Sequence, residues 1–275
     1  MRHFRLATFV LAALVAGASI ASADTIVLTG IIRDFLPKGT PLGTYNGNSG
    51  QGHDDFENDA NVSGIDLNAV LPTLGADGKP VFDPGNAASV YVSTTTEANF
   101  NEWFNDTTGK NLSTLHSITL DDSGTGIFTY EDSDFFPIDG LLYGNNPGYD
   151  HNYGFTFEIH TTFGYVDGQV FSFTGDDDMW VFINGQRVIN LGGVHGALSE
   201  SIALNTLGLT VGENYSLDIF YAERHTVESR FKIETSIPLI PEDPGVPVPE
   251  PTSLVLLGSG LAGLATRLRN SRHKP

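Results

Sequence analysis

Gly175 leads into Asp176-Asp177-Asp178-Met179-Trp180-Val181-Phe182-Ile183-Asn184-Gly185, where three consecutive carboxylates open an apolar strand and a tight turn closes it. Neighbouring carboxylates repel one another, and either solvent or a bound cation must offset that repulsion. Ca²⁺ takes roughly six to eight oxygens from carboxylates, carbonyls and water. Adjacent side chains on a strand point to opposite faces. One ion therefore reaches two neighbouring aspartates only where the backbone turns or carries a cis bond. The alternative is a solvated acidic turn with no ion.

Other groups could join this chemistry. His195 follows Gly192-Gly193-Val194, and His225 lies with Glu223 and Glu228. Imidazoles beside carboxylates suit Zn²⁺ better than Ca²⁺. They could equally support an ion's ligands, face a glycan, or be solvated. His53-Asp54-Asp55-Phe56-Glu57-Asn58-Asp59 is a second acidic cluster. It could hold a second cation, form a lid over the first, or be a solvated loop. Trp103, Trp180 and Tyr221 could stack on sugar rings, although aromatic periodicity more often marks a core, and Trp180 on the hairpin is expected to be buried. Arg224 and Arg230 are rare cations here and are expected to pair with local acids.

Hydrolysis is disfavoured. A glycosidase needs two carboxylates facing each other across about 5–10 Å, with divergent pKa values. A sequential Asp run does not supply that geometry. No Gly-x-Ser-x-Gly elbow, His-Glu-x-x-His helix or phosphate-cradling loop is present. No catalytic residue is assigned, and the chain reads as a non-enzyme.

The elements that must position these groups are short strands. Thr25–Asp34 is rich in β-branched residues and reads as a strand. Residues 37–62 read as a long loop, and Asp77-Gly78-Lys79-Pro80 as a turn. Ala88–Thr94 reads as a strand. Glu97–Asn105 reads as a short helix with Phe100, Trp103 and Phe104 on one face, capped by Thr95 or Thr96. Strands follow over Ser117–Leu120, Gly126–Glu131, Gly154–Thr162, Gln169–Thr174, Met179–Asn184, Arg187–Leu191, Leu198–Leu204, Tyr215–Tyr221 and Arg230–Ser236. Alternation at Phe155, Phe157 and Ile159, and at Leu217, Ile219 and Tyr221, predicts strands with one covered face. Asn184-Gly185 between two runs is a hairpin signal. Many short strands and one short helix predict an all-β, antiparallel β-sandwich with long loops.

Both ends carry processing signals, each expected to be helical. Arg2 and Arg5, the apolar run Leu6–Ile20 and Ala21-Ser22-Ala23 fit a signal peptide cleaved after Ala23. At the other end, Pro249-Glu250-Pro251 precedes an apolar run from Leu254 to Ala265 and the basic residues Arg267, Arg269, Arg272, His273 and Lys274. That run is marginal for a bilayer span, and the basic cluster would hold the end on the cytoplasmic side. Setting aside Arg2, Arg5, Arg267, Arg269, Arg272 and Lys274, 8 Lys and Arg of the 14 remain against 33 Asp and Glu, a net of −25. Such a chain repels nucleic acid and favours divalent cations. Without cysteine it has neither disulfides nor a thiolate metal site. The expected division is a signal peptide over 1–23, a β-sandwich over 24–237, a Pro-rich spacer over 238–251 and a sorting tail over 252–275.

Two resemblances add to this reading. The C-terminal trio resembles the PEP-CTERM sorting signal of Gram-negative bacteria that make exopolysaccharide. It implies an exosortase-type protease as a processing partner, transient inner-membrane anchoring, and a final place outside the cell or on its surface. Residues 175–190 resemble the central hairpin of the protective-antigen-type β-sandwich. The whole of 25–237 resembles its fibro-slime branch. Supporting stretches are Gly30-Ile31-Ile32-Arg33-Asp34-Phe35, His53-Asp54-Asp55-Phe56-Glu57, Leu191-Gly192-Gly193-Val194-His195, and residues 222–231. In the related yeast adhesins an adjacent Asp pair, a later Asn and backbone carbonyls hold one Ca²⁺ that contacts sugar hydroxyls. Counting back from Gly185, that pair falls on Asp176 and Asp177, and Asp178 stands where Gly is usual. Where the later Asn would fall, just past the strand ending at Tyr221, Glu223, Arg224 and His225 stand instead, and Glu223 is the candidate third ligand. Asp178, His195 and His225 are then supporting or glycan-facing groups. The resemblance implies Ca²⁺ as cofactor and exopolysaccharide or a surface glycan as partner. The functions expected are a calcium-dependent carbohydrate-binding or adhesion module, or a structural matrix component with a fold-stabilising cation. A glycoside hydrolase is the weakest reading.

Overall fold

A computed structural model describes residues 23–41, 51–57, 64–85 and 95–244. The signal segment before Ala23, the strand expected at Ala88–Thr94, Asn58 and Asp59, and the tail with Pro249, Glu250 and Pro251 lie outside the described residues.

Thr25–Phe35 forms β1, Gly64–Ile65 β2, Glu97–Trp103 the helix α1, Asn111–Asp121 β3, Phe128–Asp132 β4, Phe155–Gly164 β5, Val170–Asp176 β6, Asp178–Ile183 β7, Gln186–Leu191 β8, Gly193–Val194 β9, Leu198–Ala203 β10, Asn214–Glu223 β11, Arg230–Thr235 β12 and Ile240–Pro241 β13. Thr96 caps α1 by accepting from the Asn99 amide at 3.1 Å, as the sequence predicts. Asn184 and Gly185 both sit at positive φ (52° and 71°). That geometry is the hairpin turn which joins β7 to β8.

The main sheet runs β10-β6-β12-β4-β3-β1-β5-β11-β7-β8, with β13 beside β5. Its paired strands are antiparallel, from β1 on β3 and β5 to β11 on β5 and β7. At the β3–β4 junction Asp121 pairs with Thr129, and there the path folds over to give two facing layers. Phe231 of β12 meets Phe157 of β5 at 5.8 Å and Tyr221 of β11 at 5.3 Å across the core. The two ends of the path approach each other, since the Asn190 amide of β8 donates to Glu200 of β10 at 2.8 Å. The result is an antiparallel β-sandwich nearly closed into a barrel.

Gly30 allows β1 to lie close on β5, because a Cβ there would come within 2.2 Å of the Glu158 carbonyl oxygen. β7 differs from a strand with one covered face, because every one of its residues is buried. Met179, Val181 and Ile183 point into the main core. Trp180 and Phe182, with Phe220 and Ala222 of β11, enter a second core built with Phe35, Phe56, Phe100, Trp103 and Phe104. The helix and the loop at 51–57 supply that outer layer.

The end of the domain also differs. Leu239 is 4 % exposed within the main core. Ile240 and Pro241 pair with Thr162 and Thr161 of β5. The folded unit therefore continues to Pro241 instead of giving way to a spacer at 238. Among the described residues no helix is long and apolar enough to cross a membrane.

Candidate metal centre

The Asp triplet is not the start of a single strand. Asp176 ends β6, Asp178 begins β7, and Asp177 lies between them. β6 pairs with β10 and β12, whereas β7 pairs with β11 and β8, so the triplet is the crossing from one layer to the other. The Asp176–Asp177 peptide is cis. Carboxylate oxygens of Asp176, Asp177 and Glu223 lie within 4.8 Å of one another. These are the three residues named as ligands above.

Each carboxylate is positioned by its element. Glu223 ends β11, two residues after Tyr221, so period-two alternation sets both on one face. The Tyr221 hydroxyl donates to the Asp176 carbonyl and lies 3.1 Å from Glu223 Oε2 and 2.9 Å from Ser229 Oγ. The His225 amide reaches Glu223 Oε1 at 3.4 Å. Asp177 accepts from the amides of His195 and Arg224, each at 3.1 Å. Asp176 and Asp177 face a cavity of about 240 Å³ walled by Val194, His195, His225 and Glu228.

Asp178 points elsewhere. It is fully buried, accepts from the Gly193 amide at 2.5 Å and pairs with Arg224 Nε at 2.6 Å. The Arg224 guanidinium lies 4.8 Å over the Trp103 ring, a cation–π arrangement. Its Nη atoms are buried with no hydrogen-bond partner among the described residues. Gly193 must be glycine, since φ is +115° and a Cβ would meet the Gly64 carbonyl oxygen at 2.1 Å.

Electrostatics sets the cluster apart. Burial raises the Asp176 carboxyl to about 6. Burial also pushes Asp177 well up, against the pull of Arg224 and with the push of Asp178 and Asp176. Glu223 is driven well up by burial and then by Asp177 and Asp176. Three hard oxygen donors that resist ionising together fit a divalent cation, which would remove the repulsion.

The remaining candidates fall into place differently. His195 turns Nδ1 onto the Gly196 carbonyl at 3.0 Å and Nε2 onto the Leu191 carbonyl at 3.1 Å. His225 lines the cavity without joining the carboxylate group. In the second acidic cluster Asp54 is exposed while His53, Asp55 and Phe56 are buried, and its described residues join no metal group. Asp55 is buried and accepts from Trp103 Nε1 at 2.9 Å, Thr95 Oγ1 at 2.6 Å and Asn99 Nδ2 at 3.2 Å. Buried His53 sits 3.2 Å from Glu102. The segment anchors the outer layer. Trp103, Trp180 and Tyr221 are all buried and offer no ring to a sugar. Arg230 pairs with Glu131 at 2.5 Å. The Tyr221 hydroxyl was not foreseen as part of the site, though its alternation with Glu223 carries the signal.

A β-sandwich with an acidic cluster where its two layers cross defines a domain class, and comparison with known proteins agrees. The chain belongs to the PA14 domain family, whose profile matches residues 101–252. Residues 247–270 match the PEP-CTERM protein-sorting motif, which implies exosortase processing and surface sorting in Gram-negative bacteria. The chain is 40% identical to protein psiR of Dictyostelium discoideum over 230 residues, covering 78% of this chain and 22% of that one. It is 36% identical to psiD of the same organism over 231 residues, covering 80% of this chain and 43% of that one. The chain thus spans less than half the length of these fibro-slime relatives. Among solved structures it is similar to the PA14 sugar-binding domain of an RTX adhesin. That likeness has a TM-score of 0.29 and 10% identity, and covers 76% of this chain and 90% of that one.

Proposed function

We propose that the chain is a surface-sorted, non-enzymatic module that binds a glycan of the extracellular matrix through a Ca²⁺ ion held by Asp176, Asp177 and Glu223. The observation that carries this reading is the carboxylate cluster, with its oxygens within 4.8 Å of one another beside a cavity of about 240 Å³. Three carboxylates supply up to six oxygens, and the cavity leaves room for water or sugar hydroxyls to complete the shell. A cluster this tight does not leave the two acids of a glycosidase facing across a substrate. Asp178 holds Gly193 and Arg224, and the histidines wall the cavity. Export with cleavage after Ala23, a sandwich from residue 24, and sorting through the tail after Pro249-Glu250-Pro251 complete the proposal.

A second reading has its own support. Glu223 is 0 % and Asp177 3 % exposed, a depth that suits an ion fixing the loops of a matrix protein without touching a ligand. Glycan-array binding with and without chelator separates the two. Binding abolished by chelator supports the lectin. Absence of binding, with a chelator-induced fall in Tm, supports the structural role.

A further inference from the structure

The loop between β4 and β5 carries rings that neither core uses. Phe136 stacks on His151 with centroids 4.0 Å apart at 12°. Tyr153 meets Phe136 edge-on at 4.8 Å and Tyr149 edge-on at 5.9 Å. Tyr149 is 52 % exposed, and the other three are half-buried. Buried Asp34 and Asn146, with Asp139 at the surface, fix the backbone beneath them. Asp34 accepts from the Tyr143 amide at 2.7 Å and from Asn152 Nδ2 at 2.8 Å. Asn146 accepts from the Tyr153 amide at 3.0 Å. Asp139 accepts from the Asn152 amide at 2.8 Å and contacts His151 Nδ1 at 2.6 Å. The rings are thus ordered before any ligand arrives, which lowers the entropy cost of binding.

Their place is equally telling. Tyr153 lies two residues before Phe155, which pairs with Glu223. The rings therefore stand at the same end of the sandwich as the carboxylate cluster.

We propose that this loop is a stacking platform for an uncharged pyranose, with Tyr149 and Tyr153 against the apolar face of the sugar while its hydroxyls reach the cation site. The proposal rests on the glycan reading above and names its ligand class. Aromatic faces match the C–H face of a pyranose, and Asp139 and Asp150 at the rim accept hydroxyl protons. The same carboxylates repel uronates and other polyanions.

The test is an array of neutral and uronate-containing oligosaccharides probed with the full chain as wild type, Tyr149→Ala and Asp177→Ala. Each protein is probed with Ca²⁺ and with chelator, and Ca²⁺ affinity and Tm are measured in parallel. The expected result is neutral-sugar binding that falls about threefold to tenfold in Tyr149→Ala, with Ca²⁺ affinity and Tm unchanged. Unchanged binding in Tyr149→Ala, still abolished by chelator, overturns the platform and leaves the cation reading standing. Binding that survives chelator but falls in Tyr149→Ala overturns the cation reading and leaves the platform. A preference for uronates, or no sugar bound by wild type, overturns the platform outright.

Discussion

Asp178 and Arg224 form an ion pair of 2.6 Å between side chains that are both 0 % exposed. This pair ties the start of β7 to the segment just after β11. Breaking it leaves a charge stranded in the interior. Asp178→Ala and Arg224→Met are each expected to cost about 3–5 kcal/mol in urea unfolding, with a smaller effect on Ca²⁺ affinity than Asp177→Ala. An Asp178→Ala protein of unchanged stability and lost Ca²⁺ binding would make Asp178 a ligand after all.

Neutralising a ligand should have opposite effects on the two states of the site. Glu223→Gln keeps the side-chain size and removes one of three carboxyls that resist ionising together. Its Tm in chelator is expected to rise by a few degrees, while Ca²⁺ affinity drops at least tenfold, about 1.4 kcal/mol. A lower Tm in chelator together with unchanged affinity contradicts the assignment.

The outer face of β5 and β11 sets an alkaline limit. Burial alone would depress the His160 ring from 6.5, but its bonds to Asp218 and Glu158 outweigh this and hold it at about 9. That stabilisation is complete below 6.5 and is lost as pH rises through 9. Glu158 runs the other way. Burial would raise it, yet the His160 bond and the charges of Arg33 and Lys79 bring it from 4.5 to about 2. Its contribution is complete above 4.5 and is lost as pH falls through 2. Asp34 adds a decline at lower pH, since burial lifts it from 3.8 to about 7, and stability falls as pH rises between those values. The difference in Tm between wild type and His160→Gln is therefore expected to shrink as pH rises from 6.5 to 9. A difference that is constant with pH contradicts this.

Truncation tests the boundary. A chain ending at Ile237 loses buried Leu239 and the pairing of β13. It is expected to be less stable by about 2 kcal/mol than one ending at Pro244. Equal stability would put the end of the domain back at 237.

Much of this was legible because alternation encodes it. Phe155, Phe157 and Ile159, and Leu217, Ile219 and Tyr221, announce strands whose inner faces meet, and Asn184-Gly185 announces the turn. The first half of β3 is not legible, because Ser113, Thr114 and His116 interrupt any apolar rhythm. The two-sided burial of β7 could not be read from Met179–Ile183, since no local pattern says that α1 covers Trp180 and Phe182. In the site, Glu223 stands where the resembled family has Asn, and only the Asp176–Asp177 pair followed from the resemblance. The role of Asp178 did not, because its partner Arg224 is 46 positions away and Gly193 is held by backbone alone. The acids at 54 and 55 misled for a similar reason. Asp55 looks like a cation ligand until Trp103, 48 positions on, supplies its donor.

The central claim is a cation at Asp176, Asp177 and Glu223, and calorimetric Ca²⁺ titration of the full chain tests it most directly. The prediction is one site with a Kd of about 0.1–1 mM, as in extracellular modules, and lost in Asp177→Ala. No heat of binding and no Ca²⁺-dependent rise in Tm, or binding that survives Asp177→Ala, would contradict it.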